Sequence, residues 1–254
     1  MKRWVDVAAP IVLLLVVFAI WETAVRWFDL PSYILPTPSR IVLAFFSHFV
    51  GLSQHAVVTF LEILLGFAIG GCAGFVLAIA VFYSPILERA LYPLIIFSQM
   101  IPVFAIAPLL IVWMGYGLWP KATVAALIGF FPVVVNASDG LRAPTDESVE
   151  LFRSLGATRW QIFWKLRLPA SLPTLFSGLK VATTLSVVGA TIGEWVGAHQ
   201  GLGYLMLQSN ALLRVDLVFA AILMLALLGL LLFGGLRIIE RRMLRWRIPG
   251  REGE

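Results

Sequence analysis

Long apolar runs broken by short polar punctuation account for most of the chain. About 20 consecutive apolar residues cross a bilayer as a helix, and this pattern predicts six spans, at roughly 8–27, 57–83, 91–115, 120–138, 170–197 and 216–237. Between the first two lies a polar-flanked stretch, 31–53, in which the mixed run from Arg40 to Val50 is too short to span. That run predicts an amphipathic helix lying along the interface. The third span holds Pro93, Pro102 and Pro108. Each removes a backbone donor, so the span is expected to bend or break. Irregular backbone at membrane depth is tolerated where it is buried in protein or lines a water-filled cavity. Gln99 to Pro108 is therefore a candidate pathway segment, with Gln99, Met100 and Pro102 at its centre.

Small residues recur every fourth position in two spans, as Gly66, Gly70 and Gly74 in the second and Gly189, Gly193 and Gly197 in the fifth. Such stripes let helix backbones approach closely. Contact within one subunit is favoured over a dimer seam, although the pattern does not name the partner. The loop from about Asp139 to Pro169 has its own helical signals. Thr145 can cap a first helix whose opening turn carries Asp146 and Glu147, with Val149, Phe152 and Leu155 on one face and Gly156 as its stop. Thr158 and Gln161 have capping-box spacing for a second short helix, which sets Trp160, Phe163 and Trp164 on a shared face. The result is a helix, glycine, helix protrusion with apolar groups among Arg153, Arg159, Lys165 and Arg167. Physics alone leaves two uses open, a groove on a partner protein or a rest on lipid headgroups.

Composition supports a membrane protein: the 254 residues are 60% hydrophobic and 13% charged, with mean hydropathy +0.94, against about 25% charged for soluble domains. No extramembrane domain is recognisable, so the chain reads as one membrane domain over 1–254. The net charge of +5 does not point to nucleic acid, because the bases cluster at the ends of apolar runs instead of beside stacking aromatics. Lys2 and Arg3 precede an apolar stretch that lacks a small-residue cleavage site, which makes it a first span and not a signal peptide. Six spans put both termini on one side. An inside N-terminus gives the cytoplasm fourteen Lys and Arg residues and the outside four, Arg26, Arg40, Lys121 and Arg214, with Lys180 inside the fifth span. The positive-inside rule therefore predicts cytoplasmic termini and a cytoplasmic 139–169 loop. Cys72, the single cysteine, lies in an apolar run as a small packing residue.

Glu150-Leu151-Phe152, three residues, Gly156, nine residues, then Leu166-Arg167-Leu168-Pro169 resembles the loop signature of ATP-binding-cassette (ABC) importer permeases, Glu-Ala-Ala, three residues, Gly, nine residues, Ile-x-Leu-Pro. Leu151-Phe152 stands in place of the alanine pair and Leu166 in place of isoleucine. Leu35-Pro36-Thr37-Pro38, Ile101-Pro102, Ala107-Pro108-Leu109, Trp113-Met114-Gly115 and Phe131-Pro132 before Asn136 are similar to the nitrate, sulfonate and taurine branch. Gly193-Glu194-Trp195-Val196-Gly197-Ala198 with Gly201-Leu202-Gly203-Tyr204-Leu205-Met206 is similar to importers of thiamine-precursor pyrimidines, with riboflavin importers nearby.

The resemblance implies an all-α membrane protein with six transmembrane helices in the type I ABC importer architecture, set in the bacterial inner membrane. It also implies cytoplasmic ABC ATPase subunits, an external substrate-binding protein and a second copy of the chain as partners. No cofactor is expected in this chain, since ATP and Mg would sit in the partner ATPase. By the same resemblance Glu150, Leu155, Gly156, Ala157 and Pro169 belong to the ATPase-docking loop, and the mechanism is alternating access.

Ionisable groups in a membrane are costly and mark site candidates. Glu194, near the outer end of the fifth span, reads as a gate or pathway group or else as a structural partner. Lys180 is expected to snorkel toward the cytoplasm, and Glu62 to pair with a neighbouring helix or face a pathway. Gln99 either lines the pathway or only serves the broken backbone. His48, His55 and His199 fall in expected outer loops, so they would form a metal site only by converging on folding. No Gly-x-x-x-x-Gly-Lys motif cradles phosphate, and no enzyme constellation is present. A rival class, an ion-coupled secondary transporter, would use Glu62 and Glu194 as coupling groups.

Overall fold

The computed structural model describes residues 2–246, and the regular structure in that range is helical. In chain order the helices are α1 (Lys2–Trp27), α2 (Pro38–Ser47), α3 (Phe49–Tyr83), α4 (Pro85–Ser98), α5 (Val103–Met114), α6 (Leu118–Arg142), α7 (Asp146–Ser154), α8 (Arg159–Ile162), α9 (Leu168–Gly197), α10 (Leu202–Ala211) and α11 (Val215–Met243). A π-helical turn, Phe163–Arg167, joins α8 to α9. Among the described residues five helices are long and apolar enough to span, over Ala9–Trp27, Phe49–Tyr83, Leu118–Arg142, Arg159–Gly197 and Val215–Met243, and the bent pair α4 and α5 makes a sixth when taken as one broken span.

Several boundaries move from where periodicity put them. The second span begins at Phe49, not 57, because the polar residues Ser53 and His55 are no obstacle to a helix and the one interruption is His48, which caps α2 at φ −111°. The third span starts at Pro85 under a Ser84 cap and divides into two helices meeting at 98°. Of its three prolines only Pro102 breaks the chain, as the N-cap of α5, while Pro93 and Pro108 are absorbed inside helices. The residue before a proline is pushed out of the helical region, which places the end of α4 ahead of Ile101. Helix α10 was not foreseen; Gly201 starts it at φ +121° with no side-chain cap.

The chain divides into two compact units, residues 1–58 with 200–226 and residues 59–199 with 227–254. In the first, Thr37 caps α2 and Pro38 opens it, so the Leu-Pro-Thr-Pro sequence is a helix start. Glu22 of α1 completes that start by accepting from Ser39 N–H at 3.0 Å and from Ser39 Oγ at 2.8 Å. A carboxylate suits a helix N-terminus, where the dipole is positive. The Trp21 and Phe219 rings meet at a tilt of 60° with centres 5.6 Å apart.

The second unit is built around α6. A Cβ at Gly70 of α3 would lie 2.7 Å from Ala126 O of α6, and one at Gly189 of α9 only 2.6 Å from Ala125 Cα of α6. Both glycine stripes therefore serve close contact inside the subunit, with Ala122 and Ala125 fully buried between them. Ile63, Ala125 and Ala190 form a buried centre, against which Val187 and Leu232 pack.

Candidate functional site

Three places carry the expected site residues. The first is the α7–α8 protrusion, where local chemistry fixes the backbone. Thr145 accepts from Ser148 N–H at the start of α7. At its end Gly156 N–H bonds to Arg153 O at 2.9 Å and Ala157 N–H to Phe152 O at 3.0 Å, the paired bonds of a Schellman stop. Gly156 adopts φ +77° there, the left-handed conformation that such a stop requires. Two residues later the capping box forms as its spacing predicts: Gln161 N–H donates to Thr158 Oγ1 and Thr158 N–H to Gln161 Oε1.

The second short helix differs from expectation. It has four α-helical residues and then runs through the π turn straight into α9, so Pro169 opens a spanning helix instead of closing a loop. Leu168 N–H reaches back five residues to Phe163 O. This wider turn accommodates the missing donor and the ring of Pro169. Trp160, Phe163 and Trp164 do share a face, with Trp160 and Trp164 ring centres 5.4 Å apart and Phe163 and Trp164 5.5 Å apart, and along it Phe163 is buried while Trp160 and Trp164 are exposed. Leu151 and Leu155 are exposed as well, and Glu150 lies on the surface. The apolar outer face of the protrusion is thus Leu151, Leu155, Trp160 and Trp164.

The inner face is anchored. Val149, Ile162 and Phe163 are buried. Arg167 donates to Leu141 O near the end of α6 at 2.9 Å, and its guanidinium lies 4.8 Å from the centre of the Phe82 ring in the last turn of α3. Tyr83 meets Phe163 with ring centres 5.7 Å apart, and Glu88 of α4 pairs with Arg142 of α6 at 2.8 Å.

The second place is the break between α4 and α5. The N–H groups of Gln99, Met100 and Ile101 bond to Ile96 O, Phe97 O and Ser98 O, so the break satisfies its own main chain. The Gln99 side chain is not needed for that task. Gln99, Met100 and Pro102 are all exposed on this chain.

The third place is a buried group of charges on α3, α6 and α9. Lys121 Nζ sits 2.7 Å from Glu62 Oε1, with the Glu62 side chain fully buried. Thr59, one turn before Glu62, donates to Glu194 Oε1 at 2.6 Å, and Glu194 is 1% exposed. Sequence reasoning named Glu62 and Glu194 but treated Lys121 as an outer-loop charge; it is 6% exposed, inside the first turn of α6. The available signal was the partner that an intramembrane Glu62 demands. Thr59 gave none.

Other expectations are corrected by contacts. Lys180 does not snorkel free but pairs with Glu240 of α11 at 2.6 Å. His55 lies inside α3, with Nδ1 accepting from Gly201 N–H at 3.0 Å, and His48 caps α2 with Nε2 2.9 Å from Arg214. Among the described residues no three His, Cys, Asp or Glu side chains are placed to hold a metal.

Comparison with known proteins agrees with this architecture. Residues 70–245 match the family described as binding-protein-dependent transport system inner membrane component. The chain is 38% identical to the formylaminopyrimidine transport permease protein ThiX of Halalkalibacterium halodurans, over 97% of this chain and 99% of that one. It is 35% identical to the riboflavin transport system permease protein RibX of Chloroflexus aurantiacus, over 96% and 91%. Among solved structures, an inward-facing MetNI methionine ABC transporter aligns with TM-score 0.61 at 21% identity, covering 77% of this chain and 95% of the matched one.

Proposed function

Because the chain belongs to the family of binding-protein-dependent transport system inner membrane components, and so is an ABC importer permease subunit, we propose that it translocates a thiamine-precursor pyrimidine delivered by an external binding protein. The pyrimidine reading is supported by the 38% identity with a formylaminopyrimidine permease across nearly both chains. Riboflavin, taurine and alkanesulfonates are the competing solutes, since permeases named for riboflavin and taurine match at 35% and 28% identity.

The working unit is two copies of the chain with two cytoplasmic ATPase subunits that bind ATP and Mg. Both termini and the α7–α8 protrusion face the cytoplasm, a reading strengthened by the burial of Lys121, which leaves fourteen cytoplasmic bases against three exposed outside. The observation that carries the docking role is the protrusion itself, whose exposed apolar face is held on a buried base tied to α3 and α6. Glu150, Leu155, Gly156 and Ala157 meet the ATPase, and Pro169 begins the helix that takes the motion inward. Closure of the ATPase pair moves the protrusion, and α9 conveys that movement about 39 Å along its length to Glu194. There Glu194 acts in the outer gate, while Gln99, Met100 and Pro102 line the pathway between the two copies.

Reconstitution in vesicles with the ATPase and binding protein tests this. ATP-dependent uptake of a labelled aminopyrimidine is expected, and Glu150→Lys should lower uptake at least tenfold or raise the ATP used per solute. Uptake without the ATPase would overturn the mechanism, and uptake of riboflavin or taurine instead would overturn the solute.

A further inference from the structure

The first unit holds a two-part hollow at the C-terminal end of α1. The larger part, about 670 Å³, is apolar and runs between α1, α2 and α11, with Phe18, Trp21, Ile41, Val42, Phe219 and Leu223 on its walls. The smaller part, about 370 Å³, is polar and gathers Arg26, Asp29, Ser32, Thr37, Ser39 and Arg40. Ser39 lines both, so the two parts adjoin. The α1 span ends at Trp27, which puts the polar part at the membrane surface and the apolar part roughly two turns deeper. Very little of that span is buried against the rest of the described chain, so the groove beside it is left for the bilayer to fill. The charges in the polar part have a definite balance. Arg26 is paired with Glu22, whose second oxygen accepts from Ser39 N–H. Arg40 and Asp29 are exposed and make no ion pair among the described residues. Asp29 is held there by the backbone, since its φ of +48° turns the chain and returns Leu30 N–H to Val25 O at 3.1 Å. The hollow thus offers one unpaired cation and one unpaired anion above an apolar groove.

We propose that this hollow binds one phospholipid whose head group carries both a phosphate and a primary ammonium, as in phosphatidylethanolamine. The Arg40 guanidinium takes the phosphate, which its planar donors suit. The Asp29 carboxylate takes the ammonium, and an acyl chain lies in the groove between α1 and α11. Basic pockets between membrane helices are known seats for lipid head groups; the carboxylate beside this one selects a zwitterion over an anion. Phosphatidylcholine has the same charges but no N–H to donate to Asp29, and phosphatidylglycerol brings no cation to it. A helix from a second copy would fill the apolar part and leave both charges unmatched. The bound lipid reinforces the join between α1 and α11 that the Trp21 and Phe219 rings begin. The site depends on neither the solute nor the ATPase; with cytoplasmic termini, as proposed above, it lies in the outer leaflet.

Native mass spectrometry of the purified full-length chain in detergent tests the site, with phosphatidylethanolamine, phosphatidylcholine and phosphatidylglycerol of identical acyl chains offered in equal amounts. One phosphatidylethanolamine per chain is expected, held over each competitor by roughly tenfold, the scale of one charge-assisted hydrogen bond. Arg40→Gln should lower its retention by a similar factor, and Arg40→Lys should restore part of it. Asp29→Asn keeps a residue that tolerates positive φ and should bring phosphatidylethanolamine down to the level of phosphatidylcholine. Ala226→Phe, which places a ring in the apolar groove, should reduce retention of all three lipids. Both charged residues are exposed, so their variants are expected to fold, and the mass spectrum reports folded charge states in the same measurement. Equal retention of the three lipids, preference for phosphatidylglycerol, or undiminished retention by both Arg40→Gln and Ala226→Phe would each overturn the proposal. So would lipid carried by single chains and absent from dimers, which would assign the groove to a second copy.

Discussion

Lys121 shows how much a single side chain's surroundings decide. Its sequence position, between a Gly-Tyr-Gly turn and an apolar helix, matches that of a flanking charge, and Arg40 looks the same by that criterion. In the folded chain Arg40 is exposed, while Lys121 lies under α9 so closely that a Cβ at Gly193 would come 2.9 Å from its Cα. Removing one partner of a buried ion pair strands the other and costs about 3–5 kcal/mol. Surface changes stay within about 0.5 kcal/mol. Lys121→Met should therefore lower the detergent melting temperature sharply, whereas Arg40→Met should leave it almost unchanged. Equal melting of the two variants would mean that water reaches Lys121. Contacts that join α3 to α6 are set by tertiary packing, so counting charges by span could not find this one.

At the scale of elements, what was legible was what local chemistry determines. Thr145, Gly156 and the Thr158/Gln161 box fix helix ends through bonds within a few residues of each other, and each formed as its spacing predicts. The run from Arg40 to Val50, expected to form an amphipathic helix, is helical as α2 up to Ser47, with Ile41, Ala44 and Phe45 buried. By contrast, α10 has neither a capping side chain nor a periodic apolar face to announce it, and the early start of α3 hides in residues with no stop signal. Two glycines now separate conformation from packing. Gly156 has open space around its missing Cβ but φ +77°, so Gly156→Val strains the turn by about 1–2 kcal/mol or somewhat more for a branched residue. Membrane insertion and bulk melting should persist while co-purification with the ATPase falls; undiminished co-purification would remove Gly156 from the docking loop. Gly189 has helical backbone but no room, since its Cβ would meet Ala125 Cα at 2.6 Å. Gly189→Ala must push α6 from α9 and is expected to cost about 1–3 kcal/mol. Gly234→Ala on α11, where nothing lies within 4 Å, is the control. A melting temperature unaltered by Gly189→Ala would place that stripe outside the α6–α9 contact.

For the whole molecule, the proposed mechanism turns on the relation between a protrusion that would meet the ATPase and a transmembrane core that would feel it. Family membership sets aside the ion-coupled alternative, in which Glu62 and Glu194 would themselves drive transport, and in the proposed docking mode the energy source lies at the far end of α9. Arg167 is then the expected transmission point. It sits in the π turn between the protrusion and α9, bonds to Leu141 O in α6 and lies over the Phe82 ring of α3. A guanidinium can hold a carbonyl and a ring face at once, which a hydrocarbon of similar length cannot. Arg167→Leu should preserve the exposed docking face, because Leu151, Leu155, Trp160 and Trp164 keep their own backbone caps. The two lost contacts should cost roughly 1–3 kcal/mol in all. The ATPase should therefore still co-purify and hydrolyse ATP, while solute taken up per ATP falls several-fold, since α3 and α6 no longer follow the protrusion. Measuring hydrolysis and uptake in the same vesicles distinguishes this from lost docking, which lowers both together. Uptake per ATP equal to wild type would show that α9 alone carries the motion and that Arg167 only steadies the turn.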